Sequence, residues 1–232
     1  MSRAQILREL GLGPTWKLRA PAAAEPAAAG AAPASPPDER SAAIGRMGWD
    51  ELRAAVADCR ACELCKARKQ AVLGVGDVNA DWLFVGEGPG AEEDERGEPF
   101  VGQAGRLLDA MLAAIDLKRG ADVYIGNAVK CRPPNNRTPE PEETATCWPY
   151  LARQIELIRP KLIVALGRPA AQTLLQSEVK IASARGRLFD YKGIPVVVTY
   201  HPAYLLRNLP DKAKAWEDLC FMRREMRRLK GG

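Results

Sequence analysis

Four short apolar runs punctuate the chain: D-W-L-F-V-G (81–86), D-V-Y-I-G-N (122–127), K-L-I-V-A-L-G (161–167) and I-P-V-V-V-T-Y-H (194–201). Apolarity that runs on without alternating polar positions predicts strands covered on both faces. Between them the apolar positions recur every three or four residues, in G-R-L-L-D-A-M-L-A-A-I (105–115), P-E-E-T-A-T-C-W-P-Y-L-A-R-Q-I-E-L-I (141–158) and R-P-A-A-Q-T-L-L (168–175), which predicts helices. A last helix is expected over residues 211–229. Strand and helix in alternation imply an α/β fold: a three-layer α/β/α arrangement around a central four-stranded, mainly parallel sheet. Ligands of such sheets bind beyond the carboxyl ends of the strands. The residues that follow the strands are G-E-G-P-G (86–90), Asn127, Gly167 and His201, and the pattern therefore brings them to one edge.

Upstream the pattern changes. Residues 20–43 are rich in alanine and proline and nearly devoid of large apolar side chains, so they cannot offset the entropy of ordering and read as a disordered linker. Ahead of them Q-I-L-R-E-L-G-L-G-P-T-W-K-L-R, within segment 4–19, has enough leucine, isoleucine and tryptophan to serve as a docking peptide for a protein partner. The expected division is a tail over 1–44 and a domain over 45–232. Helical spacing in A-A-I-G-R-M-G-W-D-E-L-R-A-A-V-A-D-C (42–59) makes the start of the domain helical.

Length allows one well-buried domain. The net charge of +5 permits an anionic partner without demanding one, and the basic end M-R-R-E-M-R-R-L-K-G-G reads as a solvated helix terminus. No membrane-spanning run or secretory leader is visible, so a soluble cytoplasmic protein is expected, acting as a monomer. In a reducing compartment six cysteines are expected to be metal ligands or core residues rather than disulfides. Cys59 and Cys62 form C-R-A-C, Cys65 extends the spacing, Cys131 lies in A-V-K-C-R-P-P, and Cys147 lies in the following helix. A zinc site, an iron-sulfur cluster and plain buried thiols all satisfy that spacing. Cys220, between Leu219 and Phe221, reads as core.

Three motifs, G-E-G-P-G-A-E-E-D-E-R-G-E-P-F-V-G-Q-A-G-R-L-L-D (86–109), N-A-V-K-C-R-P-P-N-N-R-T-P (127–139) and H-P-A-Y-L-L-R (201–207), together resemble the family 4 uracil-DNA glycosylases, the iron-sulfur members of their superfamily. The resemblance covers residues 45–229. It implies a 4Fe-4S cluster on Cys59, Cys62, Cys131 and Cys147, with Cys65 as an extra cysteine, tying an N-terminal helical segment to the rest. It implies excision of uracil from DNA: the nucleotide is flipped out and its N-glycosidic bond hydrolysed. His201, the only histidine, would then donate to uracil O2, and Asn127 would read N3-H and O4. Phe100 would stack on the base and Glu93, beside Asp94, would exclude the methyl of thymine. Glu87, Gly88 and Pro89 would form the wall of the pocket, with water held by the backbone of Glu87 and Gly88. Tyr204, Leu205, Leu206 and Arg207 would engage the duplex, the leucines as a wedge and Arg207 on a phosphate, with Lys130, Arg132 and Arg137 neutralising further phosphates. The competing expectations are a noncatalytic iron-sulfur or zinc DNA-binding module and a glycosylase whose base preference has shifted toward hypoxanthine or xanthine. A chain with one histidine lacks the histidine-bearing insert of the branch that traps the sugar covalently.

Overall fold

Strands form where the chain has apolar residues on both sides of the pleat. In the computed structural model, which describes residues 39–231, β2 (Trp82–Gly86), β3 (Val123–Asn127), β4 (Leu162–Leu166) and β6 (Ile194–Thr199) pair in parallel. Period-two alternation sends Trp82 and Phe84 to one face and Leu83 and Val85 to the other. The first face is covered by α4 (Gln103–Ala113), through Leu108 and Leu112, and by α9 (Asp211–Lys230), through Leu219 and Met222. The second is covered by α5 (Pro141–Ile158), through Leu151 and Ile155, and by α6 (Arg168–Leu175), through Ala170 and Leu174. Each of the large side chains contributes about 1.5–3 kcal/mol by leaving water.

The sheet has six strands, in the order β1-β3-β2-β4-β6-β5, rather than the four expected. Both additions are antiparallel edge strands: β1 (Val75–Gly76) beside β3, and β5 (Leu188–Tyr191) beside β6. β1 has two residues, too few to show a period, and β5 alternates exposed and half-buried positions as an edge does. The turn between β5 and β6 is made by Lys192 and Gly193, both at positive φ (49° and 85°), the backbone of a two-residue hairpin turn.

The domain also begins earlier than expected. Glu39–Ile44 forms a helix, α1, whose Ile44 is buried and whose Arg40 guanidinium donates to the Thr146 carbonyl at 2.8 Å. Gly45 to Gly48 then interrupt the stretch of helical spacing, and α2 runs over Trp49–Ala57. Leu52 and Val56 of α2 pack with Tyr150, Cys131 and Cys147, so the N-terminal helices form a third apolar cluster against α5. Segment 4–19 and residues 20–38 lie outside the described residues.

One further expectation does not hold. Cys220 is exposed on α9, because the buried stripe of that helix runs through Ala215, Asp218, Leu219, Met222 and Met226. The basic C-terminal end is an exposed helix terminus, as expected, and its Lys230 Nζ lies 2.7 Å from both Asp81 and Asp122, which precede β2 and β3, at the amino edge of the sheet. No helix among the described residues is long and apolar enough to cross a membrane.

Candidate active site

The carboxyl ends of the parallel strands open on a cleft of about 980 Å³ whose walls include Glu87, Phe100, Asn127 and His201. Asn127, the last residue of β3, is 2 % exposed, and its Oδ1 is the one buried side-chain polar atom without a partner among the described residues. A buried acceptor in that state costs about 1–3 kcal/mol until a donor reaches it. Gly86 lets the wall close: a Cβ there would lie 2.4 Å from Asn127 Oδ1 and 2.6 Å from Phe100 Cζ.

Phe100 adopts φ 55°, a left-handed backbone that a bulky residue enters only when its surroundings impose it. Arg119 imposes it. One guanidinium nitrogen donates to the Pro99 carbonyl and another to the Phe100 carbonyl, each at 2.8 Å, while Nε pairs with Asp109 at 2.9 Å. Gly105 leaves room for that carbonyl, since a Cβ at 105 would stand 1.7 Å from it. Glu93, at the start of α3 (Ala91–Arg96), accepts from Gly90 N-H at 3.1 Å, Val101 N-H at 2.9 Å and Gly102 N-H at 3.2 Å. Its oxygens therefore hold the two pocket loops together while the side chain lines the cleft. Asp94, the next residue, is buried and accepts from Lys69 N-H. Arg119 carries no sequence signal: it sits alone in a K-R-G turn, and only its three acceptors reveal its work.

His201 caps α8 (Pro202–Arg207): its Nδ1 accepts from Ala203 N-H at 3.1 Å, which leaves the proton of the neutral ring on Nε2. Burial, then the charge of Arg207, push its pKa down to about 4 against the opposite pull of Glu93. The ring centroid is 5.4 Å from that of Phe100. Gly167, at φ 89°, starts α6 with no side chain where a Cβ would press on His201 Cβ at 3.0 Å. Below the histidine, Thr199 Oγ1 donates to Asp218 at 2.6 Å, and Asp218 accepts from Arg185 Nε at 2.8 Å, which anchors the end of β6.

Glu87 is half-buried, and burial raises its carboxyl pKa against a hydrogen bond from Thr138 and the charge of Arg168. At Gly88 a Cβ would meet Val129 Cγ2 at 2.8 Å, so an acidic side chain does not fit there without displacing the K-C-R-P-P segment. Pro89 and Gly90 complete that wall.

Around the mouth the expected DNA contacts divide. Tyr204 and Arg207 line the cleft, and Leu206 is exposed. Leu205 is 1 % exposed and packs in the core with α4 and α9, so it is no wedge: in a helix the residue beside an exposed one turns inward. Leu209, in the turn after α8, is the more exposed leucine, at 61 %. Lys130 is not a phosphate ligand either, since it is 1 % exposed and its Nζ faces the interior. Arg137 reaches the cleft, yet its guanidinium forms a two-toothed pair with Glu143 at 2.7 and 2.8 Å, and Arg132 Nε donates to Asn136 at 2.8 Å.

On the far side of β3, Cys59, Cys62, Cys131 and Cys147 wall one small gap, together with Arg40, Arg68 and Tyr150; Cys65 is outside it. Arg68 donates to Cys131 Sγ at 2.8 Å, and also to the carbonyls of Ala57 at 2.6 Å and Cys59 at 3.0 Å. Lys130 N-H donates to Cys147 Sγ at 3.3 Å. Burial would raise Cys59, but the Ala61 N-H, Tyr150 and Arg40 outweigh it and lower the thiol pKa. Burial pushes Cys147 up to about 12. Among the described residues no three His, Cys, Asp or Glu side chains are gathered closely enough to hold a single metal ion.

The Uracil DNA glycosylase superfamily profile matches residues 73–220. The type-4 uracil-DNA glycosylase of Thermotoga maritima is 50 % identical over 161 residues, 68 % of this chain and 83 % of that protein. That of Archaeoglobus fulgidus is 47 % identical over 165 residues, 68 % of this chain and 82 % of that protein. That of Pyrobaculum aerophilum is 42 % identical over 182 residues, 75 % of this chain and 92 % of that protein. A cleft at the switch edge of a parallel sheet, with its open acceptor and its uncharged histidine, thus stands in a chain that belongs to the uracil-DNA glycosylase superfamily, among the type-4 enzymes.

Proposed function

We propose that the cleft receives a deoxyuridine flipped out of DNA and hydrolyses its N-glycosidic bond, releasing uracil and leaving an abasic site. The observation that carries this reading is the unpartnered Oδ1 of Asn127. Uracil N3-H is a donor that satisfies it, with the amide NH₂ left for O4; cytosine presents an acceptor at N3 and is repelled. A site built around an open acceptor rejects a ligand without the matching donor more strongly than an apolar slot rejects an extra methyl.

Breaking the bond places negative charge on uracil and positive charge on the sugar. The neutral imidazole of His201 directs Nε2-H toward O2 of the leaving base, and a preorganised donor of this kind contributes about 3 kcal/mol to lowering the barrier. Its role is electrostatic: a ring that holds a proton on Nε2 and resists gaining a second is no general base. Phe100, clamped by Arg119, offers a face to the base, worth about 1–3 kcal/mol. The attacking water is held by the backbone of Glu87 and Gly88, while the Glu87 carboxyl, its pKa raised by burial, is bonded to Thr138. At the mouth, Arg207 takes a phosphate and exposed Leu206 enters the space that the nucleotide vacates. The decisive experiment is uracil release from single-stranded, U·G and U·A oligonucleotides, with thymine and hypoxanthine as controls. Release of uracil alone supports this reading; equal release of hypoxanthine favours the shifted base preference, and binding without release favours the noncatalytic module.

For the cysteines we propose a 4Fe-4S cluster held by Cys59, Cys62, Cys131 and Cys147. The fit rests on their shared gap and on cationic donors aimed at two of the sulfurs. Bound there, it would supply a covalent tie between the end of α2 and the segment after β3. Iron content and visible absorption test this, and a colourless zinc protein would overturn it. The proposed place of action is the reducing cytoplasm, where thiolates remain available to hold such a cluster.

A further inference from the structure

Between the cysteine quartet and the cleft lies a cation that the proposed chemistry leaves unused. Lys130 is 1 % exposed, yet its ammonium is engaged twice: Nζ donates to the Asn127 carbonyl at 2.7 Å and to Gln154 Oε1 at 2.6 Å. Gln154 is oriented in turn by donating to the Leu73 carbonyl at 3.0 Å and to the Tyr124 hydroxyl at 3.1 Å. The Lys130 backbone is held as well: its N-H donates to Cys147 Sγ at 3.3 Å and its carbonyl accepts from Val72 N-H at 2.8 Å. The next residue is Cys131.

We propose that Lys130 is a positioning residue for base recognition, which transmits the placement of the cysteine quartet to the carboxamide of Asn127. The proposal rests on the reading of Asn127 as the uracil-reading group. Asn127 is the last residue of β3, and the peptide that follows it is held at both ends, by Lys130 on its carbonyl and by Ala128 N-H on the Gly86 carbonyl at 2.9 Å, which together fix the backbone that carries the Asn127 side chain. An ammonium buried at that point holds the carbonyl with a charge-assisted hydrogen bond, stronger than a neutral donor supplies. A methionine would fill the same volume with no desolvation penalty, but it would leave the Asn127 carbonyl without its charged donor and its peptide held only through Ala128 N-H, which donates to the Gly86 carbonyl at 2.9 Å. The same lysine is anchored by its own backbone to Cys147 and precedes Cys131, so a shift of either cysteine moves Nζ.

The test is a double-mutant cycle in the full chain, Lys130→Met with and without Asn127→Ala. It is read by single-turnover uracil release and by calorimetric binding of free uracil, with iron content and melting temperature recorded for every variant. Expected is a loss of about 10-fold or more in uracil affinity and turnover for Lys130→Met at unchanged iron content, shrinking to about 2-fold or less when Asn127 is already alanine. Equal losses in both backgrounds, or a loss that follows iron content, would make Lys130 a scaffold residue and overturn the proposal. If Asn127→Ala alone left uracil affinity and turnover intact, the reading of Asn127 would fall first. Should Lys130→Met not fold, Gln154→Met removes the other acceptor from the same ammonium, and the same non-additivity with Asn127→Ala is required of it.

Discussion

The two edges of the sheet collect polar residues in opposite ways. At the amino edge Lys230 Nζ lies 2.7 Å from Asp81 and 2.7 Å from Asp122, Lys161 reaches Asp81 at 3.3 Å, and Asp122 Oδ1 accepts from Asp81 N-H at 2.7 Å. Slight burial there is outweighed by the two lysines, which hold Asp81 below the usual carboxylate range. At the carboxyl edge Asn127 keeps an acceptor open, Phe100 is held at positive φ and His201 is discharged. Satisfied charges near solvent are cheap to keep and do little. Unsatisfied or strained groups, enclosed and held by neighbours, mark where a ligand is to complete the structure.

The sharpest break of this contrast is His201→Ala, expected to lower single-turnover uracil release by about 100- to 1000-fold, far beyond the loss of about 1 kcal/mol in stability that removing the α8 cap entails. A change under about 10-fold would move the anion-stabilising role elsewhere. Arg119→Leu tests whether strain at Phe100 is functional: with the ring unclamped, kcat/KM should fall by about 10- to 100-fold while His201 keeps its tautomer. Full activity in that variant would make Arg119 a stability residue alone.

Acid provides a third test. The folded protein resists protonation of His201 down to about 4, whereas the unfolded chain accepts the proton near 6.5. The histidine's contribution to stability is thus complete above about 6.5 and is lost as pH falls toward 4. With one histidine in the chain, ¹⁵N resonances report it without ambiguity, and they should show an Nε2-H ring that does not titrate between about pH 8 and 5. An inflection near 6.5 would contradict the proposed donor. The smallest effect is expected at the other edge: Lys230→Ala should cost about 1 kcal/mol or less in urea unfolding and leave excision unchanged.

Much of the frame is legible in the chain. The runs ending at Gly86, Asn127, Gly167 and Thr199 lie near the sheet core because continuous apolarity has few other stable placements. Helices over Pro141–Ile158 and Arg168–Leu175 match their sequence periods, and the final helix ends one residue later than expected. The edge strands give no such signal, because β1 is too short for a period and β5 faces water on one side. Single residues escape local patterns in the same way. Leu205 and Leu206 are chemically alike, and only the helical turn of α8 decides that one is core and the other exposed. Lys130 resembles a surface cation beside arginines, and only its two interior acceptors show otherwise.

By itself, then, the sequence determined the layer order, the edge on which Glu87, Asn127 and His201 meet, and the motif resemblance that names the chemistry, because these follow from periodicity and from residue type. Tertiary structure decided which of those groups are satisfied and which are left wanting. That Asn127 lacks a donor, that Arg119 strains Phe100, and that burial discharges His201 all depend on atoms brought together from distant segments, and no local pattern encodes such distances.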